Sequence, residues 1–209
     1  MRLAVLGASG HGKVVADAAE LAGWAEVVFF DDAWPERKQN GPWQVIGNTA
    51  ALTADVGSFD GVVVAIGNNR IRQAKQAEFA EAGARLVSII HPAAVVSKYA
   101  AVGIGSVVFA NSVINACASV GAGCIVNTGA VVEHDCVLGD FTHISPNAVL
   151  AGGVKVGSLV WVGGCAAVRQ LIEIHEGAVV GMGAVVTRDV PPGVVVAGSP
   201  ARVLKPRSN

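Results

Sequence analysis

The sequence has little net charge, no long apolar run and no signal for export. Its 15 basic and 16 acidic side chains give a net charge of −1 over 209 residues. This excludes the basic field of a nucleic-acid-binding protein and a polybasic membrane patch. No apolar run reaches about 18 residues, and the first ten residues contain no long apolar segment. We therefore expect neither a transmembrane helix nor a signal peptide, and we expect a cytoplasmic protein.

The sequence also lacks paired cysteines. None of its four cysteines forms a CxxC pair: Cys117, Cys124, Cys136 and Cys165. Cys124 and Cys136 fall where the repeat described next predicts small inward side chains, and a thiol there behaves as a small hydrophobic group. We expect reduced structural cysteines rather than disulfides, metal ligands or nucleophiles.

The main feature present is a six-residue period. Between Ile90 and Val186, Val, Ile or Leu occupies every sixth position without a break, 17 positions in all. The fifth position of most hexads, four residues after the apolar one, holds a small or β-branched residue. The position before it is often Gly, Asn or Asp, which tolerate a left-handed backbone. These residues are Gly105, Asn111, Gly123, Gly129, Asp135, Asn147, Gly153, Gly177, Gly183 and Asp189. Short strands joined by tight corners at this period indicate a parallel β-helix over residues 90–209.

Residues 1–89 have a different pattern, in which strands and helices alternate. Predicted strands span 3–6, 26–30, 61–66 and 85–89, and predicted helices span about 13–21, 49–54 and 71–82. This order is typical of a small parallel α/β domain of Rossmann type. Its ligands bind beyond the carboxyl ends of the strands, where three loops follow: Gly7–Gly12, Asp31-Asp32 and Gly67–Arg70.

The first loop reads GASGHG, which gives the spacing GxxGxG rather than the dinucleotide spacing GxGxxG. Amides at a helix N-terminus suit a phosphate or pyrophosphate, although a plain tight turn explains the glycines as well. NAD is disfavoured because no acidic residue follows a true GxGxxG and because the other half of a dehydrogenase is missing.

These loops and the hexads together resemble the hexapeptide-repeat acyltransferases of the sialic-acid O-acetyltransferase and bacillosamine-pathway N-acetyltransferase family. The C-terminal residues 187–202 resemble the ending of such enzymes, so the resemblance covers essentially the whole chain. It implies a left-handed β-helix, acetyl-CoA as co-substrate and a nucleotide-linked sugar on the N-terminal domain. The family's loop reads GxGGHG, and Ser9 here replaces a glycine. The implied substrate-binding residues are Ser9, Gly10, His11, Gly12, Asp31, Asp32, Gly67, Asn68, Asn69 and Arg70.

The segment Glu133-His134-Asp135 is the best chemical candidate of the repeat. His134 falls at a predicted corner, and a histidine titrating near neutrality is a natural general base. A solvated corner histidine is the plainer alternative. The resemblance implies that His134 is the base, that Asp135 orients it and that Glu133 assists. It also implies a set of cofactor-binding residues: His143, Gly152, Gly164, Met182 and Arg188.

The leading interpretation is an acetyl-CoA-dependent N-acetyltransferase that acts on a nucleotide-linked 4-amino-6-deoxysugar. We expect the nucleotide to be UDP. The rivals are O-acetylation of a sialic acid or related sugar and a non-catalytic binding solenoid. A zinc enzyme of the gamma carbonic anhydrase type would need His134, His143 and His175 together, and we disfavour it because His175 lies nearly two coils past His143. We therefore expect no metal.

The outward residues of the repeat predict the assembly. With three hexads per coil, residues 18 apart stack on one face. The first ladder is Val95, Val113, Val131, Val149, Ala167 and Val185, and the second is Val107, Ile125, His143, Trp161 and Val179. The third is Ala101, Ser119, Val137, Lys155, Glu173 and Pro191. Two apolar faces that meet at an edge predict a closed homotrimer, and the family is trimeric with acetyl-CoA between neighbouring solenoids.

Overall fold

The computed structural model describes residues 1–206. It divides into two compact units, of which the first is Met1–Pro92 and the second begins at Ala93. No helix within the described residues is long and apolar enough to cross a membrane.

The first unit is a parallel α/β layer structure. A five-stranded sheet has the order β3-β4-β2-β1-β5, with β1 between its parallel neighbours β2 and β5. The elements are β1 (Arg2–Leu6), α1 (Gly10–Leu21), β2 (Glu26–Phe30), β3 (Gln39–Asn40), β4 (Trp43–Gly47), α2 (Thr49–Ala54), a 3-10 turn (Val56–Ser58), β5 (Gly61–Val64), α3 (Asn69–Glu81) and the short β6 (Ile89–Ile90).

The predicted elements of this unit are largely confirmed, with two corrections. The segment between β2 and α2, for which the sequence predicts no strand, contains the antiparallel pair β3 and β4, and Gly41 between them has a left-handed backbone (φ 68°). The strand predicted over 85–89 is reduced to one isolated bridge between Leu86 and Val62. Only the backbones of Arg85 and Val87 reach Val62, so pairing at this end of the sheet stops after two hydrogen bonds.

The second unit consists of three stacks of two-residue parallel strands, each strand pairing with the strand 18 residues later. The first face is built from β7 (Val95–Val96), β10 (Val113–Ile114), β13 (Val131–Val132), β16 (Val149–Leu150), β19 (Ala167–Val168) and β22 (Val185–Val186). The second face contains β9 (Val107–Val108), β12 (Ile125–Val126), β15 (His143–Ile144), β18 (Trp161–Val162), β21 (Val179–Val180) and β23 (Val194–Ala197), with β24 (Arg202–Pro206) antiparallel to β23. The third face contains β8 (Ala101–Val102), β11 (Ser119–Val120), β14 (Val137–Leu138), β17 (Lys155–Val156) and β20 (Glu173–Ile174).

The corners explain the recurrence of Gly, Asn and Asp. Nine of the ten predicted corner residues have positive φ, and Asp189 is the exception. Five further corners force a left-handed backbone on residues that rarely adopt it: Cys117, Phe141, Leu159, Cys165 and Leu171. The coil geometry therefore overrides local preference at these positions, because each strand must pair with the coils before and after it.

The core of the solenoid is the predicted one. The Val, Ile and Leu residues that recur at every sixth position and the small residues two positions before them pack into one buried cluster. The strand register also confirms the three ladders up to Glu173. Pro191 is not part of the third ladder, because Ile174 bridges Val190, 16 rather than 18 residues away, and the last coil is shortened by two residues.

One further correction concerns the second face. Val107 and Ile125 were predicted to point outward into solvent, but their side chains are only 2% and 0% exposed. They lie within the fold rather than at its surface and are not available to an interface. The exposed part of the second ladder therefore starts at His143.

Candidate active site

His134 and Asp135 form a hydrogen-bonded pair at a corner of the solenoid. His134 Nδ1 lies 2.7 Å from Asp135 Oδ2, and both side chains are about two-thirds exposed, 64% and 65%. Asp135 adopts a left-handed backbone (φ 60°). A carboxylate only accepts, so Nδ1 carries the proton and Nε2 presents the free lone pair. The pair therefore has the arrangement of an oriented base.

The acidic neighbours raise the pKa of His134 above its ordinary value of 6.5. The hydrogen bond to Asp135 is the largest cause, and the negative charges of Asp135 and Glu133 add to it. The carboxylate of Glu133 also accepts the backbone N–H of His134 at 3.3 Å. A more basic imidazole is a better proton acceptor when it is neutral, and the resulting imidazolium is stabilised.

Gly152 lies directly beneath the ring of His134, one coil later in the sequence. A Cβ added at Gly152 would be 2.5 Å from both Cε1 and Nε2 of His134. Real Cβ atoms do not approach other atoms so closely, so only glycine leaves the imidazole in this position. Gly152 therefore belongs to the surroundings of the base, and the cofactor-binding role that the resemblance implies for it stays a prediction.

His143 lies on the second face, beside a surface cavity. Its ring stacks on Trp161 with the centroids 5.9 Å apart, and its Nε2 lies 3.1 Å from Asn127 Nδ2. Trp161 Nε1 in turn donates to Ser145 Oγ at 2.7 Å. The cavity measures about 570 Å³, and Gly164 and Met182 line it as well. Three of the predicted cofactor residues therefore share one mostly apolar cavity.

The cavity and His134 occupy different edges of the triangular cross-section. We call residues 133–135, 151–153, 169–171 and 187–189 the His134 edge, where the first face passes into the third. We call residues 145–147, 163–165 and 181–183 the cavity edge, where the second face passes into the first. Arg188 lies on the His134 edge, as Gly152 does, and away from His143, Gly164 and Met182; it lines a small groove of about 150 Å³ with Arg202.

In the first unit, the glycine loop joins β1 to α1 and is shaped by one close approach. A Cβ added at Gly12 would meet the carbonyl oxygen of Gly7 at 2.1 Å, so only glycine lets α1 pack this near β1. Ser9 is the N-cap residue of α1 but makes no capping hydrogen bond with its side chain. Gly10 has no atom within 4 Å of a Cβ added there, so the tip of the loop is open.

Asp31 and Asp32 hold neighbouring loops in place. Asp31 accepts the N–H groups of Ala8 and Ala33 at 2.7 and 2.9 Å, and Arg37 approaches its carboxylate at 3.5 Å. Asp32 accepts the N–H of Thr49 at 2.9 Å. The hydrogen bonds from Thr49 lower the pKa of Asp32 below its usual value. Both aspartates thus fix the backbone around the glycine loop.

In the third loop, the buried residue Arg72 organises the backbone, and the predicted role of Arg70 in substrate binding stays a prediction. Arg70 is exposed, and Asn68 caps α3 by accepting the N–H groups of Arg70 and Ile71. Arg72 is only 1% exposed and donates to the carbonyls of Ile66 and Gly67 and to Asn69 Oδ1: 2.9, 3.2 and 2.9 Å. Gly67 itself is open. Sequence reasoning missed Arg72, although its helical spacing with the buried Gln76 and Phe79 places all three on the inner face of α3.

His11 lies in the first turn of α1 and is held neutral. Burial, together with the positive charge of Arg72, lowers its pKa from 6.5 to about 4. A neutral imidazole at this position can donate or accept a hydrogen bond at physiological pH without adding charge.

The histidines do not form a metal site within one chain. His134 lies on the His134 edge, His143 on the second face and His175 on the edge between the third and second faces. Within residues 1–206, no group of three His, Cys, Asp or Glu side chains is arranged to hold a metal ion.

Comparison with known proteins assigns the family. Residues 2–79 match the PglD N-terminal domain. The chain is 33% identical over 187 residues to GDP-perosamine N-acetyltransferase of Escherichia coli O157:H7. The aligned region covers 86% of this chain and 82% of that protein. The chain belongs to the family of hexapeptide-repeat N-acetyltransferases that modify nucleotide-linked amino sugars.

Two solved structures of similar proteins agree over the full length. The acetyltransferase domain of PglB from Neisseria gonorrhoeae in complex with acetyl coenzyme A has a TM-score of 0.93 and 43% identity, covering 97% of this chain and 98% of that one. PerB from Caulobacter crescentus in complex with CoA and GDP-perosamine has a TM-score of 0.92 and 36% identity, covering 98% of each chain. The predicted fold, an α/β domain followed by a left-handed β-helix, is confirmed, as is the resemblance to this family.

Shorter matches reach other acyltransferases. Over 70 residues the chain is 41% identical to the acyl-[acyl-carrier-protein]–UDP-N-acetylglucosamine O-acyltransferase of Verminephrobacter eiseniae, and it spans only 27% of that relative.

Proposed function

We propose that this protein transfers the acetyl group of acetyl-CoA to the amino group of a nucleotide-linked 4-amino-6-deoxysugar. The observation that carries the proposal is the His134–Asp135 pair, exposed at a corner of a solenoid whose close structural relatives are a PglB domain with acetyl coenzyme A and PerB with CoA and GDP-perosamine. The chemistry uses direct transfer and needs no cysteine nucleophile.

In this mechanism the sugar amine attacks the carbonyl carbon of the thioester. His134 Nε2 accepts the proton that the amine loses, and Asp135 stabilises the imidazolium through Nδ1. The tetrahedral intermediate collapses with cleavage of the carbon–sulfur bond, and the proton passes from His134 to the departing thiolate of CoA. The amide product and free CoA leave, and the base is neutral again.

The sugar nucleotide is proposed to bind the first unit, with its phosphates near the open tip of the glycine loop. Amide groups at the start of α1 and the positive end of the helix suit a diphosphate. The family resemblance favours UDP, whereas the sugar named for the E. coli and Caulobacter relatives is linked to GDP. The choice of nucleotide, like the cytoplasmic location, stays a prediction.

We further propose that the active protein is a homotrimer with its sites between neighbours. The His134 edge and the cavity of His143 and Trp161 lie on opposite sides of the first face, so one chain cannot bring them together. A neighbouring solenoid that packs against this face can place its own cavity beside His134. The exposed first-face residues Val95, Val149 and Val185 fit such an interface.

The decisive experiment measures CoA thiol release from acetyl-CoA with a UDP-4-amino-6-deoxysugar, its GDP counterpart or free sialic acid as acceptor. Release with either amino sugar supports the proposal, and the faster of the two identifies the nucleotide. Release only with sialic acid would assign O-acetylation instead. Release with none of several amino sugars would favour a non-catalytic solenoid.

The same assay tests the base. His134→Ala should lower kcat by about 10²–10⁴-fold. Its melting temperature should be unchanged, because the side chain is exposed. Wild-type kcat in this variant would remove His134 from the mechanism, and a matching loss of stability would make it structural.

The trimer is tested with two matched substitutions. Val149→Lys places a charge on the first face and should yield monomers in sedimentation velocity, with activity lost. Val137→Lys introduces the same charge on the third face, at a comparably exposed valine (48% against 38%), and should leave both mass and activity unchanged. A Val149→Lys protein that remains trimeric and active would contradict the arrangement.

A further inference from the structure

Two loops of the first unit meet at the carboxyl ends of the neighbouring strands β1 and β5, and each leads into a helix. The glycine loop leads into α1, and residues 65–68 lead into α3. A Cβ added at Gly7 would lie 2.8 Å from the carbonyl oxygen of Ala65 and 3.1 Å from Cγ1 of Ile66, so the two loops are in contact. The positive ends of two helix dipoles therefore lie near one another at this edge of the sheet.

The buried side chain of Arg72 connects these two helix ends. It is 1% exposed and lies at the end of the first turn of α3. Its guanidinium donates to the carbonyl oxygens of Ile66 and Gly67 at 2.9 and 3.2 Å and to Asn69 Oδ1 at 2.9 Å, and none of these three acceptors carries a formal charge. Burial lowers the pKa of His11 in the first turn of α1, and the positive charge of Arg72 lowers it further. The charge of one buried guanidinium therefore reaches the first turns of both helices.

Acidic side chains lie beside the same loops, and two nearby cations are already paired with acids. Asp31 and Asp32 fix the backbone around the glycine loop. Arg37 lies 3.5 Å from the carboxylate of Asp31, and Lys75 forms an ion pair with Glu78 at 2.9 Å. An anion that binds here is therefore repelled by carboxylates unless a positive charge compensates for them. A guanidinium can do so at every physiological pH, because it does not lose its proton in proteins.

We infer that Arg72 is a positioning residue for the diphosphate of the nucleotide sugar, which it attracts without touching it. The inference rests on the proposed function, because that function places the phosphates at the glycine loop. Arg72 is too deeply buried to reach a ligand, so it acts by holding the second loop in place and by adding positive charge behind both helix ends. Backbone amides at helix ends bind phosphate oxygens, and a buried charge is screened by salt much less than an exposed one. Arg72 should therefore strengthen binding of the phosphates and leave binding of the nucleoside unaffected.

The test measures binding of a nucleoside diphosphate and of its nucleoside by NMR titration, using UDP and uridine or GDP and guanosine, whichever diphosphate the wild-type protein binds more tightly. In Arg72→Met the affinity for the diphosphate should fall about tenfold, the effect of a unit charge acting across roughly 10 Å at an effective dielectric constant of about 20, and the affinity for the nucleoside should be unchanged. Arg72→Lys keeps the charge and should retain most of the diphosphate affinity. Arg72→Gln, whose amide keeps a donor for the loop carbonyls, takes the place of Arg72→Met if that variant does not fold. The matched control Arg85→Met removes an exposed arginine at the amino end of β5, and it should change neither affinity.

Three results would overturn the inference and leave the proposed function standing. Equal weakening of diphosphate and nucleoside binding would make Arg72 a purely structural residue. Wild-type diphosphate affinity in the neutral variant would remove any role for Arg72 in binding. A loss in Arg72→Lys as large as that in the neutral variant would show that the charge is not what matters. A wild-type protein that binds neither UDP nor GDP would instead refute the proposed function, and the inference with it.

Discussion

The contact between Gly152 and His134 gives a prediction that separates catalysis from stability. In Gly152→Ala the new methyl group would be 2.5 Å from Cε1 and Nε2 of the imidazole. Carbon atoms in contact lie about 3.5–4.0 Å apart, so the ring must move by about 1 Å or more. It can do so cheaply, because the side chain is 64% exposed. A displacement of this size at a reacting group costs about 10²-fold in rate.

We therefore expect Gly152→Ala to lose about two orders of magnitude in kcat with an almost unchanged melting temperature. The backbone of Gly152 is outside the left-handed region, so alanine adds no conformational strain there. The measurements are steady-state thiol release with saturating substrates and a thermal melt of the same preparation. Calorimetric binding of CoA then shows whether the donor still binds.

Alanine substitutions at two other glycines serve as controls for Gly152→Ala. A Cβ at Gly157 would lie 2.6 Å from the backbone nitrogen of Glu176, which cannot move aside, so Gly157→Ala should destabilise the solenoid by about 1–3 kcal/mol. A Cβ at Gly57 has no atom within 4 Å, so Gly57→Ala should be neutral in both assays. Wild-type kcat in Gly152→Ala, or a loss of stability equal to that of Gly157→Ala, would refute the reasoning.

Two further predictions follow from the charges. Asp135→Asn keeps a residue that tolerates the left-handed corner but removes the charge that raises the pKa of His134. The acidic limb of the pH profile of kcat/KM should therefore move to lower pH, and the plateau value should fall. An unmoved limb would mean that the profile reports the titration of another group. Arg72→Met should remove the donor of three hydrogen bonds, at about 0.5–1.5 kcal/mol each, and lower the melting temperature. In the same variant the pKa of His11, read by NMR titration, should rise from about 4 while staying below 6.5, because burial remains; an unchanged pKa would show that the charge of Arg72 does not act on His11.

The solenoid could be predicted in detail because its rules are local and repeated. Each hexad packs only against itself and its neighbours 18 residues away, so the apolar phase, the corners and the three ladders follow from counting. The same register also places Gly152 under His134, because the two residues are 18 apart, although only the family resemblance pointed to Gly152. Counting fails where the period breaks, as at Val190, where the last coil is two residues short.

The first unit was predictable as a class but not in its contacts. Alternating strands and helices indicate the parallel sheet and the edge where its loops meet, and the carboxyl-edge loops are where they were expected. The roles within those loops depend on aperiodic partners far apart in sequence. Asp31, for example, binds Ala8 and Arg37 rather than standing open to a ligand, and Asn40 reaches the carbonyl of Ser9. No pattern in the sequence announces these pairings.

The sequence by itself therefore determined the two-domain architecture, the core positions of the coils and the placement of His134 at a corner, because a strict period and short-range backbone preferences carry that information. Only the tertiary structure decided that Arg72 organises the third loop, that His134 donates through Nδ1 to Asp135, and that Val107 and Ile125 are buried. The physical reason is that burial and hydrogen-bond choice depend on which distant groups arrive at one point, and this is fixed only when the whole chain has folded.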